Sequence, residues 1–157
     1  MYVDSMINPE TLIQPRSFVG LMTLYESNYI RLLQLVPALD EFSGRRVSIV
    51  DGDCDLHLEL LERSRYTATL SMTYEICEDE KVIYDPNLKL RVYFDGCLAE
   101  AMSVSEIHVH QVLRDIAKRH HVELDSRWAR NVMLNKWLEY CCDKGHVIRS
   151  DSALAVL

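Results

Sequence analysis

Residues 66–74, Tyr-Thr-Ala-Thr-Leu-Ser-Met-Thr-Tyr, alternate apolar and polar without a break. Successive side chains of a strand point to opposite faces, so this period marks one buried and one wet face. The pattern predicts Tyr66, Ala68, Leu70, Met72 and Tyr74 on a common buried face. Similar alternation sets Cys54, Leu56, Leu58 and Leu60 against Asp55, His57 and Glu59, and Leu90, Val92 and Phe94 against Arg91, Tyr93 and Asp95. Val47-Ser48-Ile49-Val50 precedes these runs as a first strand, and Cys97 to Ala101 follows as a fifth. Asp51-Gly52 and Asp95-Gly96 suit the positive φ angles of tight hairpin turns. Glu78-Asp79-Glu80-Lys81 and Asp85-Pro86-Asn87 read as an acidic, proline-containing loop. Short connections between successive strands predict a five-stranded antiparallel meander over residues 45–103.

Helical periods flank the sheet. Phe18, Leu21, Met22, Tyr25, Tyr29, Leu32, Leu33 and Val36 recur at three- and four-residue steps, with Ser17 placed to cap and Pro37 to end the helix. Leu24, Ile30 and Leu35 add apolar positions at other angles, which predicts a face left over for a second chain. Ser103-Val104-Ser105-Glu106 has capping-box spacing ahead of Val109, Val112, Leu113 and Ile116. Asp125 or Ser126 can cap a further helix through Met133, Leu134, Trp137, Leu138 and Cys141, with Gly145 at its end. The expected fold is α+β: an N-terminal helix, the meander, and two C-terminal helices packed on one sheet face. Residues 1–15 read as an irregular arm, 16–146 as one domain and 147–157 as a short tail.

Composition narrows the classes. A chain of 157 residues, 48% hydrophobic and 26% charged, has enough material for one core without metal or disulfides. Its 17 basic residues against 24 acidic ones give a net charge of −7, which disfavours nucleic acid and anionic membranes as partners. No basic start with an apolar run precedes residue 17, and no stretch approaches the roughly 20 apolar residues of a membrane span. Five scattered cysteines without a CxxC are expected to be buried thiols in a reducing compartment, so the protein is expected to be cytoplasmic.

The usual catalytic and metal signatures are missing. His108 and His110 diverge on a helix, His120-His121 are adjacent, and Cys141-Cys142 with His146 lack a second ligand pair, so no metal and no cofactor are expected. There is no GxSxG, GxGxxG or phosphate loop, and only five glycines could build one. Arg114, Lys118, Arg119, Arg127, Arg130 and Lys136 would straddle a turn between two helices in the manner of a DNA reader. Interleaved Asp115, Glu123, Asp125 and Glu139 make a solvated face the better reading. On the wet side of the sheet, Arg65, Arg91 and Tyr93 with Glu62 and Glu100 are candidates for an anionic-ligand patch, against the plainer reading of cross-strand ion pairs.

Four segments together resemble one family: LMTLYESNYIRLLQLVP at Leu21–Pro37, ERSRYT at Glu62–Thr67, LRVYFDGCLAE at Leu90–Glu100, and NVMLNKWLEYCCDKG at Asn131–Gly145. They are similar to the DUF1249 (YqiB-like) family of uncharacterised proteobacterial proteins. A Tyr-x-Tyr-Pro-Asn stretch of that family is replaced here by Ala117 to Val122. The resemblance implies no established activity, cofactor or catalytic residue. Genes of that family often lie near those for an ADP-ribose hydrolase and a cyclic-AMP phosphodiesterase, so the resemblance adds a nucleotide-related role to the readings.

The leading expectation is therefore a non-enzymatic accessory or regulatory protein that binds a protein partner or another copy of itself, through Leu24, Ile30 and Leu35 or a sheet edge. A binder of a small anionic molecule such as a nucleotide is the alternative. A small hydrolase using Glu62, Asp95 or Glu100 follows, and it would need burial to separate the carboxyl pKa values.

Overall fold

The computed structural model describes residues 17–102 and 116–149, the side chains of 116–124 excepted. Helix α1 spans Phe18–Leu35. The Ser17 hydroxyl accepts from the Gly20 amide at 2.9 Å, and the helix stops where Pro37 approaches. A 3₁₀ turn, Leu39–Glu41, leads into the sheet.

The sheet comprises β1 (Arg45–Ser48), β2 (Asp55–Arg63), β3 (Thr67–Glu78), β4 (Lys81–Tyr93) and β5 (Leu98–Ala101). Every pairing is antiparallel and the spatial order is the chain order, the expected meander. Ala68, Leu70, Met72 and Tyr74 share the buried face as their alternation requires. Tyr66 does not: it lies before the strand and is exposed. The expected acidic loop is also corrected. Residues 78–87 belong to a hairpin, closed by Asp79 and Glu80 at φ 49° and 66°. Pro86 sits where the β3–β4 register shifts, between Thr73↔Asn87 and Glu75↔Tyr84, a place where a missing N–H breaks no ladder bond. Gly52 takes the positive φ expected of the first hairpin turn, whereas Cys97 takes it in the second instead of Gly96.

Helix α2 runs from Ile116 to Asp143 without interruption. The break expected at Asp125 or Ser126 is not there. A capping side chain marks a start only where the preceding backbone is non-helical, and here it is helical. The turn required by the DNA-reader arrangement is missing for the same reason. One C-terminal helix is seen among the described residues; the expected helix beginning near Glu106 falls largely outside them.

Leu32, Leu35 and Val36 of the α1 end, Leu39, Phe42, and Leu134, Leu138 and Cys141 of α2 cover Leu56, Leu58, Leu70, Met72, Leu90 and Val92 of the sheet. Ile148 joins this core and its amide donates to Leu35 O at 2.8 Å, so the packed domain continues past residue 146. A smaller cluster of Leu21, Leu24, Tyr25 and Trp128, with Leu98 against it, closes the β5 side. Leu24 and Leu35 are therefore core residues and not a docking surface, and of the three proposed contact positions only Ile30 is exposed, at 39%.

Candidate functional site

The polar side of the alternation forms the other face of the sheet, and no described element covers it. Antiparallel register lines its outward side chains into cross-strand rows: Val47, His57, Thr73 and Asn87; Arg45, Glu59, Ser71 and Lys89; and Glu62, Thr69, Arg91 and Glu100. The middle of β1–β4 carries a depression of about 220 Å³ lined by Arg45, His57, Glu59, Ser71, Thr73, Tyr84 and Asn87. Arg45 lies opposite Glu59 in the ladder, yet among the described residues the two make no ion pair. Arg45 Nη2 approaches His57 Nδ1 at 3.5 Å instead, and an arginine can only donate, which puts the imidazole proton on Nε2. His57 Nε2 is buried 3.7 Å from Glu75 Oε1, beyond hydrogen-bond reach, and has no hydrogen-bond partner among the described residues. The Tyr84 hydroxyl donates to the same Glu75 oxygen at 3.4 Å, its ring edge-on to His57. Thr73 donates to Asn87 across the ladder at 2.9 Å. Cationic and anionic groups thus meet one imidazole width apart, flanked by exposed Val47 at 44%, Val82 at 51% and Tyr84 at 53%.

The expected anion patch comes together only in part. Arg91 and Glu100 are direct cross-strand neighbours, and Tyr93 donates to Glu100 Oε1 at 2.8 Å. Burial and then the Glu100 carboxylate raise the Tyr93 phenol, with Arg91 opposing. The phenol of Tyr25 of α1 is pushed up to about 12, by burial first and the Glu100 carboxylate second. Glu62 shares the row but Thr69 separates it from Arg91. Arg65 lies in the β2–β3 turn with its guanidinium 5.2 Å over the Tyr66 ring, and Asp95 is exposed in the β4–β5 turn. The arrangement at Arg91, Tyr93 and Glu100 is a cross-strand network with its acid already engaged.

A second polar constellation is buried on the helix side. His146 Nε2 meets Asp53 Oδ2 at 2.8 Å and His146 Nδ1 meets Ser48 Oγ at 2.8 Å. Tyr74 donates to the same Asp53 oxygen at 2.8 Å, and its hydroxyl is 3.2 Å from Cys141 Sγ. Burial alone would raise the Asp53 carboxyl. Hydrogen bonds from Tyr74, His146 and the Cys54 amide, with the His146 charge, outweigh it and hold Asp53 below the ordinary carboxylate range. Burial drives Tyr74 far upward and Cys141 to about 12. Hydroxyl, imidazole and carboxylate follow one another as in a nucleophile relay. Ser48 and His146 are nonetheless buried and do not line the sheet-face depression, so the chain of bonds pins the segment after α2 to the β1–β2 hairpin. A high thiol pKa likewise makes Cys141 inert. The other cysteines depart from the buried-thiol expectation: Cys77 and Cys97 are exposed, Cys54 and Cys142 half-buried, and all five are free.

Among the described residues no group of three or more His, Cys, Asp or Glu is placed to hold a metal ion, and no helix is long and apolar enough to cross a membrane.

Comparison with known proteins places this geometry in a family. The family model described as "Protein of unknown function (DUF1249)" matches residues 31–147. The chain belongs to the DUF1249 family. It is similar to "Uncharacterized protein YqiB" of Escherichia coli strain K12, 28% identical over 128 residues that cover 82% of this chain and 90% of that protein. The proteins of the same description in Escherichia coli O6:H1 and O157:H7 match to the same extent. No solved structure matches the chain. The matched range takes in the residues of the whole sheet, the depression and the Asp53–His146 pin.

Neither the depression nor the pin stood out in the sequence. His57 is marked as outward-facing by Leu56 and Leu58 on either side, which was the available signal. Tyr84 was hidden by the loop reading of residues 78–87, and Asp53 and His146 are 93 positions apart.

Proposed function

We propose that this protein is a non-catalytic binding protein whose working surface is the uncovered face of the sheet, and that its principal ligand is another protein. One observation carries the reading: the polar depression is flanked by exposed Val47, Val82 and Tyr84 on a face that no described element covers. Apolar side chains rimming a polar floor suit a partner that packs its own apolar groups on the flanks and offers a polar group to the centre. The long β3–β4 hairpin extends this surface past the last β2 pair, Asp55↔Glu75, as a two-stranded ribbon. An accessory role, one of binding without chemistry, is part of the same proposal.

The test is co-purification from native extract with chemical cross-linking. Wild type should recover one dominant stoichiometric partner, cross-linked near Val82–Tyr84. Tyr84→Asp and Val82→Asp should lose it with the fold intact, while Ile30→Asp on α1 keeps it. Loss with Ile30→Asp alone would move the surface to the helix side and sink the proposal.

A small-ligand reading is favoured by the depression itself, which is smaller than the roughly 300–1,000 Å³ of sites for drug-sized molecules. It would hold a compact, charged molecule, at Arg45 and His57 instead of Arg65 and Arg91.

A further inference from the structure

We propose that the partner docks through an extended segment that joins the sheet at the β1 edge, antiparallel to β1. The segment carries an apolar side chain across from Val47 and a carboxylate across from Arg45. This rests on the protein-binding reading and names the chemistry of the contact. In an antiparallel ladder the backbone groups of alternate residues point to opposite sides. The bond from Leu60 N to Gly44 O turns Gly44 toward β2, so Arg45 and Val47 present their backbone groups away from it. Arg46 Nη1 takes the Arg45 carbonyl at 2.6 Å, and no described residue takes either group of Val47. One residue of an incoming strand can exchange both hydrogen bonds with Val47, and such main-chain bonds supply affinity at a sheet edge.

The side chains decide what the segment carries. Cross-strand neighbours share a face, so its residues across from Arg45 and Val47 lie on the open side. Val47 and, two positions on, Ile49 are both exposed, and apolar side chains across from them remove that surface from water. Arg45 faces Glu59 in the ladder, yet among the described residues its side chain reaches only His57 Nδ1, at 3.5 Å. Its guanidinium therefore has donors to spare for a carboxylate. That carboxylate would stand two strand spacings from Glu59, roughly 9–10 Å, where salt screens much of the repulsion. On a chain of net charge −7 the Arg45-Arg46 edge is locally basic, which selects an acidic segment over a basic one. A second copy aligned on Val47 would set position 45 across from position 49, an isoleucine, and leave Arg45 without its acid.

Two synthetic peptides test the proposal: acetyl-Thr-Val-Thr-Val-Thr-Glu-Thr-amide, and the same peptide with lysine in place of glutamate. Set antiparallel, the second valine faces Val47 and the glutamate faces Arg45. Amide shifts and exchange of the full chain are followed by NMR as each peptide is added. At about ten times its Kd the glutamate peptide should slow exchange of the Val47 amide about tenfold, because exchange then requires the free form. The lysine peptide should leave Arg45–Ser48 unchanged. Arg45→Glu should reverse the preference, and Val47→Pro, which removes an outward N–H and no ladder bond, should bind neither peptide. The wild-type comparison needs no variant, so it stands where a variant fails to fold. No response of Arg45–Ser48 to the glutamate peptide at millimolar concentration would overturn the proposal, and equal responses to both peptides would overturn the carboxylate assignment. Val47 protection without peptide would also overturn it, in favour of another segment of this chain if independent of protein concentration and of a second copy if rising with it. A native partner lost with Tyr84→Asp but kept with Val47→Pro would overturn the edge strand and leave the open-face reading in place.

Discussion

The two edges of this sheet are finished in opposite ways. At β5 the ladder bond from Met102 N to Lys89 O fixes the phase, so the backbone groups of Ala99 and Ala101 point away from β4. Two buried asparagines meet them there: Ala101 N donates to Asn131 Oδ1 at 2.8 Å, and Asn28 Nδ2 donates to Ala99 O at 3.2 Å. Asn28 also bridges to Asn131 and Asn135, and Asn131 to Arg127 O, so α1, α2 and β5 share one satisfied amide network. Alanine at both positions lets the two helices approach closely. At β1 the bond from Leu60 N to Gly44 O sets the matching phase, so Val47 N–H and C=O point outward. No described group meets them, although Arg46 Nη1 caps the neighbouring Arg45 carbonyl at 2.6 Å. One edge is a fixed joint. The other is left uncovered by the described residues, beside an open face, and natural sheets leave such edges short and charged, as Arg45-Arg46 here, unless something binds them.

That contrast ranks the effects of substitution. Leu70→Ala, in the middle of the closed face, should cost about 2–5 kcal/mol in denaturant unfolding, because a fully buried side chain leaves a cavity. Asn131→Ala should cost about 1–3 kcal/mol by stranding the Ala101 amide and the Asn28 side chain in a dry site. A near-neutral result at Asn131 would mean that β5 is not sealed by this network.

Asp53→Asn should show its effect as a pH dependence. The folded Asp53 carboxyl is held below its unfolded value, so its stabilisation is present above that unfolded value, near 3.8, and is lost as pH falls through the folded one. The stability difference between wild type and variant should be constant at neutral pH and shrink only in acid below about pH 4. A difference that vanishes near pH 6 would assign the pH dependence to another group. On the open face, Glu62→Ala should shift stability by no more than about 0.5 kcal/mol in either direction, since Glu62 is exposed and Thr69 stands between it and Arg91.

Local features were legible in the sequence and remote ones were not. The phase of Leu56–Leu58, Ala68–Met72 and Leu90–Val92 is a property of each strand alone, as is the Ser17 cap of α1. Hairpin 78–81 was missed because Asp79 and Glu80, not glycine, take its left-handed positions. The continuity of α2 was missed because Asp125-Ser126 has cap chemistry with nothing to cap. Leu24 and Leu35 were read as surplus apolar positions because a single helix does not reveal that it is packed against both a sheet and a second helix. Arg45, His57, Glu75 and Tyr84 meet only through the registers of β1 to β4, which no single segment encodes.

Residue-resolved amide hydrogen exchange at Ala101 and Val47 tests the division into a sealed and an open side most directly. The Ala101 amide should exchange only through global unfolding, with protection near that of the Leu70 core strand, while the Val47 amide exchanges at close to the free-peptide rate. Equal, high protection at Val47 would show that another segment or chain covers the β1 edge, and rapid exchange at Ala101 would show that the asparagine seal does not hold.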